Sequence, residues 1–162
     1  MDPALPPLLA GTARRPGPLR PAAPLTTLTV RKTIPASPER LFAAWTTPAE
    51  LVRWWGPQGV TCVDPSVDVR VGGSYRIGNR FPDGRVSWIT GEFEVVDPPH
   101  RVVYTWRLDD AAEAERVSVS FEARGAETLV TVRHERIPDS RARDGHEAGW
   151  KGCLEGLDTY VR

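Results

Sequence analysis

The side chains best suited to chemistry in this sequence are two histidines near its end. His134 shares the strand phase of Val130 and Val132, which points it toward the protein interior. His146 precedes Trp150 by one helical turn, so that these two side chains could flank the mouth of a cavity. Either histidine could exchange a proton or contact a ligand near neutral pH, although a buried neutral histidine bonded to a neighbour is the more common arrangement.

Motifs typical of known catalytic or cofactor sites are absent from the sequence. It contains no G-x-S-x-G, phosphate-binding loop, H-E-x-x-H or dinucleotide fingerprint. His134 and Glu135 are neighbours on a predicted strand and point to opposite faces, so they cannot chelate a metal together. Cys62 and Cys153 form no metal-like cluster with the histidines, and we interpret them as reduced thiols. We therefore expect no catalytic residue, metal site or cofactor.

The aromatic side chains are the strongest indication of a binding site. They come from several predicted elements, and ligand pockets are mostly apolar with a few placed polar groups. The alternative is that these rings fill the core, which we favour for Trp45 and Trp106. The candidate ligand-binding residues are Trp54, Trp55, Tyr75, Trp88, Tyr104, Trp106, Phe121, His134, His146, Trp150 and Leu154.

Four glycines lie in the segment that carries His146 and Trp150. Each glycine inside a helix lowers its stability by about 1 kcal/mol relative to alanine. These glycines nevertheless recur at helical spacing and form a stripe beside the large apolar side chains: Gly145, Gly149, Gly152 and Gly156. The stripe either lets the helix backbone approach the sheet closely or leaves volume for a ligand. Both can hold if one end is packed and the other is open.

The helices that position these residues are indicated by capping residues and apolar periodicity. Ser37 and Pro38 begin a first short helix. Thr47 and Glu50 have the spacing of a capping box, which predicts a second short helix. The glycine-bearing helix is expected to begin near Asp139 or Ser140 and to run to the end of the chain.

Alternating apolar residues predict strands in the rest of the domain. A first strand precedes the two short helices, and a run of strands with short connections, which favours antiparallel pairing, follows them. Within that run, a Gly-Gly step suggests a bulge or bend in one long strand. The predicted strands cover residues 25–34, 66–81, 86–96, 101–108, 116–123 and 128–135. An antiparallel sheet that curls around the last helix is an α+β architecture.

Composition limits the classes of function. The chain has 162 residues with 21 basic and 21 acidic side chains, so no overall charge favours nucleic acid or an anionic membrane. No apolar run approaches the length of a membrane span, and we expect a cytoplasmic protein. Residues 1–24 are rich in proline, alanine and arginine and are predicted to be a disordered leader. Residues 25–162 are predicted to form one domain.

Several longer segments carry a family resemblance. RWWGP, GEFEVVDPPHRVVYTW and the ending IPDSRARDGHEAGWKGCLEGLDTYV resemble the bacterial START-like (SRPBCC) proteins related to the activator of heat-shock protein 90 ATPase. The resemblance covers about residues 25–162. It implies a helix-grip fold, in which a curved antiparallel sheet grips the C-terminal helix around an internal cavity.

The resemblance leaves three functions open. The first is binding of a small hydrophobic or amphipathic ligand in the cavity, which the placement of the aromatic residues and glycines supports; because some relatives confer resistance to toxic compounds, the resemblance links it to stress or toxic-compound response. The second is a chaperone partner role, implied only by the family. The third is an enzyme of the polyketide cyclase or hydrolase type, with His134 or His146 as acid or base. Because nothing singles out a nucleophile, we rank binding first. A homodimer contact through an exposed Trp-Trp-Gly-Pro corner is a further candidate.

Overall fold

The computed structural model describes residues 24–162, so the leader predicted for residues 1–24 lies almost wholly outside the described part. The elements, in chain order, are β1 (Thr26–Ile34), α1 (Pro38–Thr46), α2 (Pro48–Trp54), β2 (Thr61–Val67), β3 (Ser74–Arg80), β4 (Val86–Asp97), β5 (Arg101–Leu108), β6 (Glu115–Arg124), β7 (Glu127–Ile137) and α3 (Ser140–Val161).

A seven-stranded antiparallel sheet curves around α3. Its strand order is β1-β7-β6-β5-β4-β3-β2, so the first and last strands of the chain are neighbours. α3 packs against β1, β7 and α2. The predicted helix-grip fold, with two short helices after the first strand, is therefore confirmed.

The strand predicted over residues 66–81, with a bulge or bend at its Gly-Gly step, is not continuous. β3 covers its second half and pairs as a hairpin with β2, which ends at Val67, and the Gly-Gly step lies in the turn between the two strands. Gly72 has a φ of +81°, a conformation that favours glycine. A β-carbon at Gly73 would lie 2.1 Å from the carbonyl oxygen of Asp68, so the turn has no room for a side chain there.

Two of the predicted helix starts are confirmed by their caps. The Ser37 hydroxyl accepts a hydrogen bond from the backbone N–H of Arg40 at 3.1 Å. The Asp139 carboxylate accepts one from the N–H of Ala142 at 2.8 Å, which begins α3. Each cap satisfies one of the backbone donors that a helix leaves unpaired in its first turn.

The predicted capping box of α2 does not form. Thr47 occupies the N-cap position but makes no side-chain hydrogen bond to the helix. Glu50 instead accepts hydrogen bonds from the Arg40 guanidinium and, at 2.9 Å, from the Tyr160 hydroxyl. The ionised carboxylate thus takes the guanidinium and the phenol as its donors, and these bonds join α1, α2 and the end of α3.

An aromatic cluster fills the space between the short helices and the sheet. The Trp45 ring lies 5.0 Å from Trp54, 6.0 Å from Trp55 and Phe121, and 6.1 Å from Trp150, measured between ring centroids. Trp54 and Trp55 are only 4% and 7% exposed. The expectation that these two indoles are exposed is therefore wrong, because both belong to the core, while the homodimer itself stays a prediction.

Candidate functional site

A cavity of about 210 Å³ lies between the first half of α3 and the β3–β5 side of the sheet. An apolar cavity of roughly 150 Å³ in another protein holds benzene, so this one has room for a molecule of one or two rings. The lining is mostly apolar, with only three side chains that offer polar groups beyond an indole or a thiol. It consists of Trp55, Pro57, Val60, Asn79, Phe81, Ser87, Ile89, Trp106, Leu108, Gly145, His146, Gly149, Trp150 and Cys153.

The first half of the glycine stripe is open. A β-carbon built on Gly145 or Gly149 would meet no atom within 4 Å, and both glycines line the cavity. An ordinary helical residue at either position would project into empty space. Gly149, which is half-buried, therefore contributes cavity volume rather than close packing, and the exposed Gly145 leaves open space at the rim of the cavity.

The second half of the stripe is packed. A β-carbon on Gly152 would lie 2.9 Å from the Cα of Pro57, and one on Gly156 would lie 2.8 Å from the carbonyl oxygen of Trp54. Such distances are shorter than real side-chain contacts, so here glycine allows α3 to approach the end of α2 and the segment after it. Of the possibilities that the sequence left open, the structure shows a stripe that is packed at one end and open at the other.

Beside the cavity, a buried hydrogen-bond network joins two strands, β6 and β7, to α3. The Trp150 indole N–H donates to His134 Nδ1 at 3.0 Å. His134 Nε2 and His146 Nε2 lie 3.1 and 3.0 Å from the same carboxylate oxygen, Glu115 Oε1. The two imidazole rings stack 4.6 Å apart, and Trp106 contacts the edge of each. We call Glu115, His134, His146 and Trp150 the carboxylate–histidine network.

The indole decides the protonation of this network. An indole N–H can only donate, so His134 Nδ1 must be an acceptor and carries no proton. The proton of the neutral ring is then on Nε2, which donates it to Glu115. Glu115, as an ionised carboxylate, only accepts, so His146 Nε2 must also be protonated and donate to it. His146 Nδ1 has no hydrogen-bond partner among residues 24–162.

The register of β5, β6 and β7 determines which residues of the network lie next to each other. Glu115 and Trp106 are paired across β6 and β5, and His134 is opposite Val117 across β7 and β6. Because side chains two residues apart share a face, Glu115 and Val117 both point inward, and Glu115 is diagonal to His134. Glu115 is 8% exposed and His134 is fully buried, as its strand phase predicted.

The pKa values of the network agree with this assignment. Burial lowers the pKa of His134, and the hydrogen bond to Glu115 only partly opposes it, so the ring is neutral. Burial alone would raise the pKa of Glu115, but the hydrogen bonds from His134 and His146 outweigh it and hold that pKa below its usual value. The network therefore combines a carboxylate with two N–H donors.

This arrangement requires stability to fall in acid. Both folded-state pKa values are depressed, so the folded protein resists protonation that the unfolded chain accepts. The contribution of His134 is fully present above its ordinary pKa of 6.5 and is lost as the pH falls through its folded value. The contribution of Glu115 is lost at lower pH, as the pH falls from the ordinary pKa of 4.5 through the lower folded value. We expect the urea midpoint to fall on acidification from pH 7 toward pH 5.

His134→Gln is the matched control for this pH dependence. A glutamine amide can accept from Trp150 and donate to Glu115 but does not titrate. The variant should lose less stability than the wild type over the same pH interval. Parallel curves for the two proteins would show that His134 is not the responsible group.

The three charged or ionisable members of the network also have the composition of a metal site. One donor atom each from Glu115, His134 and His146 lies within 4.8 Å of the others. Metal-bound histidines, however, donate the N–H of their second nitrogen to an acceptor. Here the second nitrogen of His134 accepts from Trp150, so its Nε2 lone pair is not free for a metal. The residues fit a hydrogen-bond network better than a metal centre.

The structure brings some of the predicted site residues together and separates others. Trp55, Trp106, His146 and Trp150 line the cavity. Tyr75 and Tyr104, again with Trp55 and Trp106, line an adjoining space of about 20 Å³. The remaining buried ones, which contribute to the core without lining the main cavity, are Trp54, Phe121, His134 and Leu154.

Trp88 lies on the other face of the sheet. The Arg76 guanidinium covers its ring, 3.9 Å from the centroid. The inward phase of β4 belongs to Ile89 and Phe93, which are buried. Because neighbouring side chains of a strand point to opposite faces of the sheet, Trp88 points away from the cavity that Ile89 faces, and it cannot contact a ligand there.

Glu115 was not among the predicted site residues. It lies one residue before the strand predicted over residues 116–123. Its phase was the available signal, because it precedes the inward-facing Val117 and Val119 by two and four residues. Asn79 was missed too; its Oδ1 accepts from the Trp55 indole at 3.1 Å, which leaves the amide N–H groups for the cavity.

The cysteines are buried free thiols. Burial raises the pKa of Cys62 to about 11 and that of Cys153 to about 12. Both groups are therefore protonated at neutral pH, and a protonated thiol is a weak nucleophile. Cys153 contributes to the cavity wall as an apolar side chain.

Comparison with known proteins agrees with this fold. The family model of the activator of Hsp90 ATPase homolog 1-like protein matches residues 35–162. A structure from Chromobacterium violaceum has a TM-score of 0.77 at 27% identity and covers 83% of this chain and 96% of that chain. One from Silicibacter pomeroyi has a TM-score of 0.76 at 25% identity, with coverage of 84% and 97%.

A more distant structure is described as an Hsp90 activator from Plasmodium falciparum. Its TM-score is 0.66 at 23% identity, and the alignment covers 83% of this chain and 95% of that one, so it shows the fold alone. No curated protein matches the chain significantly. Within residues 24–162, no helix has the length and apolarity needed to cross a membrane.

Proposed function

The chain belongs to the family of activator of Hsp90 ATPase homolog 1-like proteins, and from this premise we propose that it binds a small hydrophobic or amphipathic molecule in the cavity between its curved sheet and α3. The observation that carries the proposal is the open half of the glycine stripe. Gly145 and Gly149 lower the helix propensity of α3, and nothing occupies the space that their missing side chains leave.

The lining supports a ligand that is mostly apolar with a polar end. Three indole-bearing residues, Trp55, Trp106 and Trp150, form much of the wall. Asn79 and His146 supply hydrogen-bonding groups at separate elements, β3 and α3. This is the usual composition of a small-molecule pocket. A role in stress or toxic-compound response is a prediction from the family alone.

A chaperone partner role rests on the family name and on a likeness of fold to one Hsp90 activator. That role would use the outer surface, and no surface feature of the described residues favours it over ligand binding. We therefore rank it second.

Gly149→Leu tests the proposal because it fills the cavity without removing any contact. We expect the wild-type protein to carry a small molecule that native mass spectrometry detects and denaturation releases, and the variant to carry none. A small aromatic probe such as indole should raise the melting temperature of the wild type by more than that of the variant, because binding to the folded state alone stabilises it.

Trp150→Ala would be an unsuitable variant for this purpose. Trp150 is 5% exposed, stacks on Trp45 and donates to His134, so its loss would disturb the core as well as the cavity. Two results together would contradict the proposal. The wild type would release no small molecule, and indole, 4-nitrophenol and 4-nitrotoluene would each stabilise it no more than they stabilise Gly149→Leu.

A further inference from the structure

The carboxylate–histidine network leaves one nitrogen available at the cavity wall. His146 lines the cavity, and its Nε2 is held by Glu115. Its Nδ1 has no hydrogen-bond partner among residues 24–162. It is also not among the solvent-inaccessible polar atoms of the described chain that lack a partner. The nitrogen can therefore be reached by a bound molecule.

The same bonds fix what this nitrogen can do. Because Nε2–H donates to Glu115, the neutral ring presents a lone pair at Nδ1, which accepts a hydrogen bond. If Nδ1 takes up a proton, the imidazolium keeps its Nε2–H bond to Glu115, and the carboxylate balances the new charge. His134 cannot accept a hydrogen bond or a proton from a ligand in this way, because its Nδ1 already accepts from the Trp150 indole.

We propose that the cavity selects small aromatic molecules that carry an acidic hydroxyl group, a phenol or an enol, and that His146 Nδ1 takes the proton of that hydroxyl. The O–H bond of the ligand breaks and an N–H bond forms on His146, so the ligand is held as its anion against an imidazolium that Glu115 stabilises. Glu115 acts as a positioning residue, because it touches His146 and not the ligand. This inference rests on the proposed function and names the ligand class of the same cavity.

The remaining surroundings agree with this ligand class. The wall around His146 is aromatic and aliphatic, which suits a ring. The amide N–H groups of Asn79 can donate to an acceptor elsewhere on the ligand, since its Oδ1 is occupied by Trp55. Among the cavity-lining residues there is no lysine or arginine, so the positive charge opposite a bound anion would come from His146.

Two probes of equal shape test the proposal. 4-Nitrophenol has an acidic hydroxyl where 4-nitrotoluene has a methyl group, and its anion has a visible absorption band. At a pH where free 4-nitrophenol is mostly protonated, we expect the wild type to produce the anion band on binding. It should also bind 4-nitrophenol about tenfold or more tightly than 4-nitrotoluene, the size of effect that a hydrogen bond to a charged group gives.

Variants assign the effect to the network. His146→Phe should bind both probes equally and produce no anion band, whereas His100→Phe, which changes an exposed histidine in a turn, should behave as the wild type. Glu115→Gln should produce a weaker anion band with unchanged affinity for 4-nitrotoluene, which also shows that the cavity is intact.

Four results would overturn the proposal. Equal binding of the two probes by the wild type, or an anion band that survives in His146→Phe, would remove the role of His146 and leave the proposed function standing. Binding of neither probe by the wild type would also remove this proposal, and the proposed function would then depend on the results with indole and native mass spectrometry. Tight binding of Zn²⁺ alone that is abolished by His146→Phe and by Glu115→Gln would show that the nitrogen is a metal ligand instead.

Discussion

Glu115→Leu is expected to lower the free energy of unfolding by about 3 kcal/mol. Glu115 is the common acceptor for His134 and His146, and it is 8% exposed. Leucine fills a similar volume but leaves the Nε2–H of the fully buried His134 without an acceptor. An unpaired buried donor carries its whole desolvation cost. Urea denaturation at neutral pH measures the change.

Two matched variants separate the network from the loss of charge alone. Glu115→Gln keeps a carbonyl oxygen for both N–H donors and should cost only about 1 kcal/mol. Glu113→Leu makes the same change two residues earlier, at an exposed position, and should stay within about 0.5 kcal/mol of the wild type. If Glu115→Leu were no more destabilising than Glu113→Leu, the network would contribute nothing to stability.

Most of the fold could be predicted because each local pattern agreed with the global one. Alternation in β5, β6 and β7 distinguishes the buried face from the exposed one, and the inward set includes Val117, Val119 and Phe121. Ser37 and Asp139 mark two helix starts by their capping chemistry. Such agreement between propensity, pattern and capping is what specifies a single structure.

β2 escaped prediction because its pattern is interrupted. Pro65 lies inside it, the register shifts between Val63 and Ser66, and Asp64 has a φ of +50°. A proline lowers the expectation of a strand, yet it is tolerated at the edge of a sheet, and β2 is the edge strand. Only the sheet order, which depends on distant pairings, shows that this position is an edge.

The candidate site could be predicted in part, for reasons of strand phase. The inward direction of His134 was predicted correctly because the residue continues an apolar alternation. Glu115 continues one too, but a charged residue at the start of a strand is more often solvated, and its two histidine partners come from β7 and α3. Trp88 shows the opposite case, an aromatic residue that the phase of β4 directs away from the cavity and toward Arg76.

The glycine stripe shows most clearly what the sequence leaves undecided. All four glycines recur at one helical spacing, so periodicity treats them alike. The glycines differ in what lies opposite them. The segment containing Trp54 and Pro57 packs against Gly152 and Gly156 but does not reach Gly145 and Gly149. That segment is about a hundred residues away in the chain, and its approach depends on the packing of α2 rather than on α3.

The same substitution at two of these glycines should therefore have opposite effects. Gly149→Ala is expected to stabilise the protein by up to about 1 kcal/mol, because the methyl group meets no atom and alanine favours the helix. Gly156→Ala gains the same propensity, but its methyl group would lie 2.8 Å from the carbonyl oxygen of Trp54. Displacing α2 to relieve that contact costs about 1–3 kcal/mol, so this variant should be destabilised.

Parallel urea denaturation of the wild type and both variants measures the difference, which should be about 2 kcal/mol between the two variants. Because both changes are in one helix and leave its charge unaltered, propensity and net charge cancel in the comparison. What remains is the space opposite each glycine. If Gly149→Ala were destabilised as much as Gly156→Ala, α3 would be packed along its whole length, and the cavity beside Gly149 would not exist in solution.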